Sequence, residues 1–229
     1  MIPYHINSEK DGHLMTMEAM CYKRRFIDDQ TLLAPMSQTV SLQHALNHHF
    51  PKLCPHTTFK LSTLFSIEHY PRNTPVLRQG QHWNKVLIIE SGLLRMHFLR
   101  KDGREFNKNF FTESTLLCPL TPVMQHQASL FGISCIEPST LWSCDIQTFV
   151  LALPEGCWET LRSQLLTQLL DSKLQREHDL LALTSKQRYE KFLQTKPQLA
   201  QRVPLSQLAT YLGVTDVSLS RLRRQLKQS

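Results

Sequence analysis

Leu205-Ser206-Gln207-Leu208-Ala209-Thr210-Tyr211-Leu212-Gly213-Val214-Thr215-Asp216-Val217-Ser218-Leu219-Ser220-Arg221-Leu222 reads as two short helices around a tight turn. Leu205, Leu208, Ala209 and Leu212 recur at i, i+3, i+4 and i+7, the apolar stripe of an amphipathic helix. Gly213 supplies the positive φ that the residue after a helix end requires. Val214 is expected to bury at the bend, and Thr215 to cap the next helix by accepting a backbone N–H. In that second helix Leu219, Leu222 and Leu226 point back to the core, which leaves Asp216, Val217, Ser220, Arg221 and Arg224 outward. Small Ala209 lets the two helices approach closely. Such a helix-turn-helix places its second helix in a DNA major groove.

Charge supports that reading by its location. The net charge is +7 over 229 residues. Residues 184–229 hold nine Lys/Arg and two acids, a net of +7, whereas residues 1–183 hold seventeen of each sign. The whole excess therefore surrounds the helix-turn-helix, where a phosphate backbone would meet it.

Upstream, the pattern changes twice. Residues 1–38 are a weakly patterned extension with a basic run Lys23-Arg24-Arg25, and Met15, Met17 and Met20 leave open a later start of translation. Residues 39–154 form the next domain. It opens with a helix from Ser41 to Phe50, with Ser41 as N-cap and Pro51 as its stop, and a second from Thr57 to Leu64. Short extended runs follow at 66–70, 76–78, 85–90, 93–99, 105–111, 130–135 and 140–144, separated by turn residues that include the hairpin signal Lys101-Asp102-Gly103. Strands at this spacing predict an antiparallel barrel or jelly roll.

Helix resumes at Ile146, is broken by Pro154-Glu155-Gly156, and continues over 155–183 as one helix of about 26 residues, about 39 Å long. Its apolar face is wider and longer than one small roll needs. Leu161, Leu165, Leu169, Leu170, Leu174 and Leu181 are therefore expected to form a coiled-coil-type dimer seam, with packing on the chain's own roll as the other use. A further helix over Ser185–Thr195 opens residues 184–229, the expected DNA-binding domain, and leads through Lys196-Pro197 to the helix-turn-helix.

Other chemistries find little support. No segment approaches the roughly 20 apolar residues of a membrane span. No signal peptide is evident in Met1–Lys10, so a cytoplasmic protein without membrane association is expected. The cysteines at 21, 54, 118, 135, 144 and 157 show no C-x2-C pair and are expected to be reduced core residues. Neither a glycine-rich phosphate loop nor a nucleophile elbow is present, so no catalytic residue, metal or cofactor is assigned. A cupin-like metalloenzyme would need His69, His82, His97 and His126, but a close His-x-His is absent.

The order roll, long helix, helix-turn-helix resembles the Crp/Fnr family of bacterial transcription regulators. Val86-Leu-Ile-Ile-Glu-Ser-Gly92-Leu-Leu-Arg95 is similar to the family's strand-glycine-arginine segment, and Lys101-Asp-Gly-Arg-Glu105 to its next hairpin. Tyr189-Glu-Lys-Phe192, Arg202-Val-Pro204 and the run Leu208–Arg224 resemble the C-terminal domain of the family's short branch. The resemblance implies an α+β chain: a cyclic-nucleotide-binding-like β-roll, a long dimerisation helix and a C-terminal helix-turn-helix. As partners it implies double-stranded DNA, a second copy of the chain and RNA polymerase.

Two departures are informative. Cyclic-nucleotide-binding members carry an arginine in their phosphate cassette, and no arginine lies between Arg104 and Arg162 here. Losing that charge-assisted contact would forfeit about 1.5–3 kcal/mol, so control by cyclic AMP is not expected. Glu113 is the candidate match for the ribose-binding glutamate. It keeps open the alternative of a sensor whose roll ligand gates DNA binding, although the effector itself is not named by the sequence. In the recognition helix, Arg221 is the candidate for bidentate contact to guanine, Val217 for a thymine methyl and Asp216 for cytosine N4. Ser206, Thr215, Ser218, Arg223, Arg224 and Lys227 are phosphate-contact candidates. No β-hairpin wing is expected after the recognition helix.

Overall fold

A computed structural model describes residues 36–228, with side chains from Leu42 to Leu226. The expectations for residues 1–35, including the three methionines and Cys21, lie outside these residues, as does the side chain of Lys227. Helix α1 (Met36–His49) begins five residues before the expected Ser41. Ser37, Thr39 and Ser41 are all capping residue types, so propensity singles out none of them. Helix α2 (Pro55–Ser62) starts on a proline, whose fixed φ suits a first helical turn.

Eight strands follow: β1 (Ser66–Tyr70), β2 (Pro75–Leu77), β3 (Lys85–Ser91), β4 (Leu94–Leu99), β5 (Glu105–Phe111), β6 (Leu116–Leu117), β7 (Gly132–Cys135) and β8 (Ser139–Asp145). They form two four-stranded antiparallel sheets, ordered β1-β8-β3-β6 and β2-β7-β4-β5. The roll is therefore of jelly-roll type and is not a closed barrel. The Asp-Gly hairpin joins β4 to β5, with Gly103 at φ 80°.

The run Val86-Leu87-Ile88-Ile89 has no polar side because both faces of β3 are covered. Leu87 and Ile89 point between the sheets, among Leu77, Trp83, Leu94, Met96, Phe131, Ile133 and Leu141. Val86 and Ile88 point outward, where α1, α2, α4 (Ile146–Ala152) and α5 (Cys157–Ala182) bury them. The interior between the sheets is thus filled by aliphatic and aromatic side chains. Asp145 stops β8 and starts α4, its carboxylate accepting from the N–H groups of Gln147 and Thr148 at 3.0 and 2.9 Å.

Helix α5 spans 26 residues, and its leucines divide between two environments. Leu161 is 3% exposed and belongs to the roll's own core, with Leu165, Leu166 and Leu169 packed against it. Leu161 consequently has no surface left for the expected seam. Leu170, Leu174 and Leu181 are 57%, 55% and 81% exposed.

Four helices complete the chain: α6 (Ser185–Thr195), α7 (Pro197–Arg202), α8 (Leu205–Leu212) and α9 (Asp216–Gln228). A capping box between Thr184 and Gln187 starts α6. A short helix, α3 (Pro122–His126), lies between β6 and β7 and is capped by Thr121, whose side chain accepts from the Met124 N–H. Among the described residues no three His, Cys, Asp or Glu side chains gather as a metal site, so His69, His82, His97 and His126 stay dispersed. The described cysteines are all free. No described helix is long and apolar enough to cross a membrane.

Candidate nucleic-acid interface

The turn between α8 and α9 has the local geometry that its residues dictate. Gly213 adopts φ 69°, ψ 37°, and the N–H of Val214 donates to the Ala209 carbonyl at 3.0 Å, closing the end of α8. Thr215 Oγ1 accepts from the N–H of Ser218 at 3.2 Å and caps α9. Leu208, Ala209, Leu212 and Leu219 are buried together, with Leu222 and Leu226 packed against them. Those contacts fix the rotation of α9 about its axis.

The rotation in turn decides what the helix shows. Asp216, Val217, Ser218, Arg221 and Arg224 are exposed. Val217, Arg221 and Arg224 stand at i, i+4 and i+7, along one face. Val217 is 62% exposed. Neither Arg221 nor Arg224 has an ion-pair partner among the described residues, and Asp216 is the sole acid between Val203 and Ser229. At the start of α9 that carboxylate is favoured by the helix dipole.

The phosphate candidates are not brought together as one set. Ser206 is exposed on α8, whereas Thr215 and Ser218 bond each other through their hydroxyls at 2.9 Å as part of the cap. Arg223 turns away from Arg221 and Arg224 towards a hollow lined by Arg202, Pro204, Leu205 and Leu226.

Several contacts that no local sequence pattern announces hold this unit against the roll. Arg202, at the end of α7, makes a parallel fork with Glu113: Nη1 donates to Oε2 at 2.9 Å and Nη2 to Oε1 at 2.8 Å. Nη2 and Nε also reach Glu137, at 2.7 and 3.2 Å. Arg202 holds the Glu113 carboxyl down at about 2. Glu113 therefore engages a cation of the C-terminal helices, and its Oε1 also accepts from the Gly92 N–H at 3.0 Å. Gly92 itself sits at φ 108°, and a Cβ there would lie 2.8 Å from the Ser139 Cα, so the close approach requires glycine.

A second contact lies along β5. The Asn107 side-chain amide donates to the Gln207 carbonyl at 2.8 Å and to Thr210 Oγ1 at 2.9 Å, and its oxygen accepts from Arg95 Nη1 at 3.1 Å. Arg176 Nη2 and Arg188 Nε donate to the carbonyls of Tyr211 and Leu212, placing two cations at the C-terminus of α8. Leu93, Phe110 and Ile136 of the roll share a core with Tyr189, Phe192 and Leu208. Each partner in these contacts lies far off in the chain (Arg202 and Glu113 are 89 residues apart), and no local pattern signals such a pairing.

No family model and no curated protein sequence matches the chain. Solved structures do match it. FixK2 of Bradyrhizobium japonicum is 15% identical with a TM-score of 0.62, over 72% of this chain and 85% of that one. The c-di-GMP-responsive global regulator CLP of Xanthomonas campestris is 16% identical with a TM-score of 0.62, over 76% and 92%. A Eubacterium rectale chain described as a transcriptional regulator of the Crp/Fnr family is 14% identical with a TM-score of 0.61, over 78% and 85%. The likeness is one of fold: the chain has the architecture of Crp/Fnr-type regulators, a cyclic-nucleotide-binding-like roll followed by a helix-turn-helix.

Proposed function

We propose that this chain of Crp/Fnr-type fold is a sequence-specific DNA-binding transcription regulator, without enzymatic activity, acting in the cytoplasm as a homodimer. The observation that carries the proposal is the surface of α9. Its leucines anchor it while Val217, Arg221 and Arg224 stand exposed and free of acidic partners, on the segment that holds the chain's entire excess positive charge. Arg221 reads a guanine through two hydrogen bonds, Val217 meets a thymine methyl, and Asp216 accepts from cytosine or serves the helix start. Arg224, Ser206 and Lys227 take phosphates, with Arg223, Thr215 and Ser218 as the outer candidates.

The homodimer follows from α5. Leu170, Leu174 and Leu181 are too exposed for a helix that stands alone, and a second α5 would cover them. Two copies would set two recognition helices about 34 Å apart on a two-fold site. RNA polymerase is the further partner this role implies.

Cyclic AMP is not the controlling ligand in this reading. The space between the sheets is filled by side chains, and Glu113 is engaged by Arg202. A gel-shift against genomic fragments tests the function: wild-type protein retards a subset of fragments at competitor DNA levels where Arg221→Ala retards none. Equal retardation by the variant would reject α9 as the reading element.

A further inference from the structure

One cavity, of about 420 Å3, has walls that carry more positive charge than the structure neutralises. It lies between strands β4 and β5, the C-terminal half of α5, and helices α6 and α8. The roll's contribution comes from a β-bulge. Met96 pairs with Asn109 and His97 with Asn107, so Lys108 is the extra residue on β5. Bulges re-aim side chains, and this one sets the Lys108 ammonium over the rings of Phe131 and Phe98, 5.1 and 5.6 Å from their centroids.

The accounting of partners separates the cations on the lining into two groups. Arg188 donates to the Leu212 and Leu183 carbonyls, and Lys191 is paired with Asp179 at 2.7 Å. Asp179 is the single carboxylate on the lining. Lys108, Lys173 and Lys196 have no acidic partner among the described residues. Arg176 gives one nitrogen, Nη2, to the Asn107 and Tyr211 carbonyls and stacks its guanidinium over the Tyr211 ring, 4.2 Å from its centroid, with no carboxylate partner among the described residues. Burial, then the neighbouring Lys173 and Arg176, press the Lys108 pKa downward. Like charges gathered on a part-buried wall repel one another, and a bound anion would relieve that repulsion. Below the cations, Met96, Phe111 and Leu169 give the cavity an apolar floor.

We propose that this cavity binds a small, multiply charged anion with an apolar portion, of the phosphorylated-metabolite class, its charge held by Lys108, Lys173 and Lys196. Lysine ammoniums are compact point charges suited to tetrahedral phosphate oxygens. The apolar portion rests on Met96 and Phe111. Because the roll, α5 and the C-terminal helices all line the cavity, the bound anion bridges them and biases how the DNA-binding helices sit. That last step rests on the function proposed above, whereas binding itself does not.

Calorimetric titration of ATP and of inorganic pyrophosphate into the purified full chain, with no DNA present, tests the site. At least one of the two is expected to bind saturably with one site per chain. Each lysine replaced is expected to weaken binding about tenfold or more, in Lys108→Met, Lys173→Met and the double variant. Lys173→Arg keeps binding close to the wild-type level. Lys173 is exposed, so its variants stay informative even if Lys108→Met perturbs folding. Absence of saturable binding by both probes overturns the proposal, as does wild-type affinity in the double variant. An equal loss in Arg221→Ala would place the anion on α9 and overturn it as well.

Discussion

Replacing Glu113 by Gln removes the charge from the fork that ties α7 to the roll while keeping the side chain's shape. The carboxyl is drawn from its ordinary 4.5 to about 2, and at about 1.4 kcal/mol per unit this sets an upper figure near 3 kcal/mol. The side chain is 41% exposed, which screens the pair. Exposed pairs contribute about 0–1 kcal/mol, and a bidentate fork shared with a second carboxylate somewhat more, so the expected loss at pH 7 is about 1–2 kcal/mol. The sign of the pH dependence follows from linkage. The folded chain holds this proton less tightly than the unfolded chain, so the stabilisation is complete above the unfolded value and is lost as pH falls towards about 2. Urea unfolding followed by circular dichroism should therefore show a deficit in Glu113→Gln at neutral pH that shrinks between about pH 5 and pH 3. Amide exchange adds a local readout. The buried contacts of Phe110, Leu93 and Ile136 still dock the C-terminal helices, but their amides in α8 should exchange faster in the variant. A variant as stable as the wild type at pH 7, or a deficit that does not change with pH, would refute the clamp.

Three further outcomes follow from the same geometry. Gly213→Ala forces an alanine to φ 69° with its Cβ 3.2 Å from Leu180 Cδ2, so a thermal melt should show a loss of about 1 kcal/mol or more. Leu219→Ala empties a fully buried site between α8 and α9 and should lose about 2–4 kcal/mol in chemical denaturation, with DNA binding falling in step. Leu174→Glu combined with Leu181→Glu alters only exposed positions, so the circular dichroism spectrum should persist while sedimentation shows a monomer in place of a dimer. A dimer that survives both charges would move the seam elsewhere.

What could be read from the sequence was local in origin. The helix-turn-helix follows from a 3.6-residue apolar period, a glycine at the bend and a threonine cap, all within 20 residues, and the structure builds α8 and α9 on those features. The hairpin at Lys101-Asp102-Gly103 and the separation of α4 from α5 are equally local. Strand β6 has two residues and no period to detect. Helix α7, six residues beginning at Pro197, carries no clear signal of its own, because a proline there starts a helix as readily as it ends one. The division of α5 was hidden for another reason. Leu161 and Leu174 look alike in sequence, and only the position of the roll buries the first and exposes the second. Glu113 was placed as a ligand residue by its neighbours in sequence, whereas Arg202 reaches it from the far end of the chain. The exposed face of α9 is legible in the sequence, and the contacts that position it are not.

Those contacts give the exposed face its consequence. A recognition helix is useful only if its angle to the rest of the chain is defined, and α9 is fixed through α8, which Asn107, Arg176 and Arg188 hold at both its exposed carbonyls and its side chains. In the proposed dimer, a shift of the C-terminal helices relative to α5 would move both copies of α9. The cavity lined by Lys108, Lys173 and Lys196 lies between those elements.

Hydroxyl-radical footprinting on a duplex selected from random sequence by the wild-type protein tests the central claim most directly. Two symmetric protected patches with centres about one helical turn, about 34 Å, apart are expected, and both are lost in Arg221→Ala at the same protein concentration. A single unpaired patch, or a footprint that Arg221→Ala leaves intact, would contradict it.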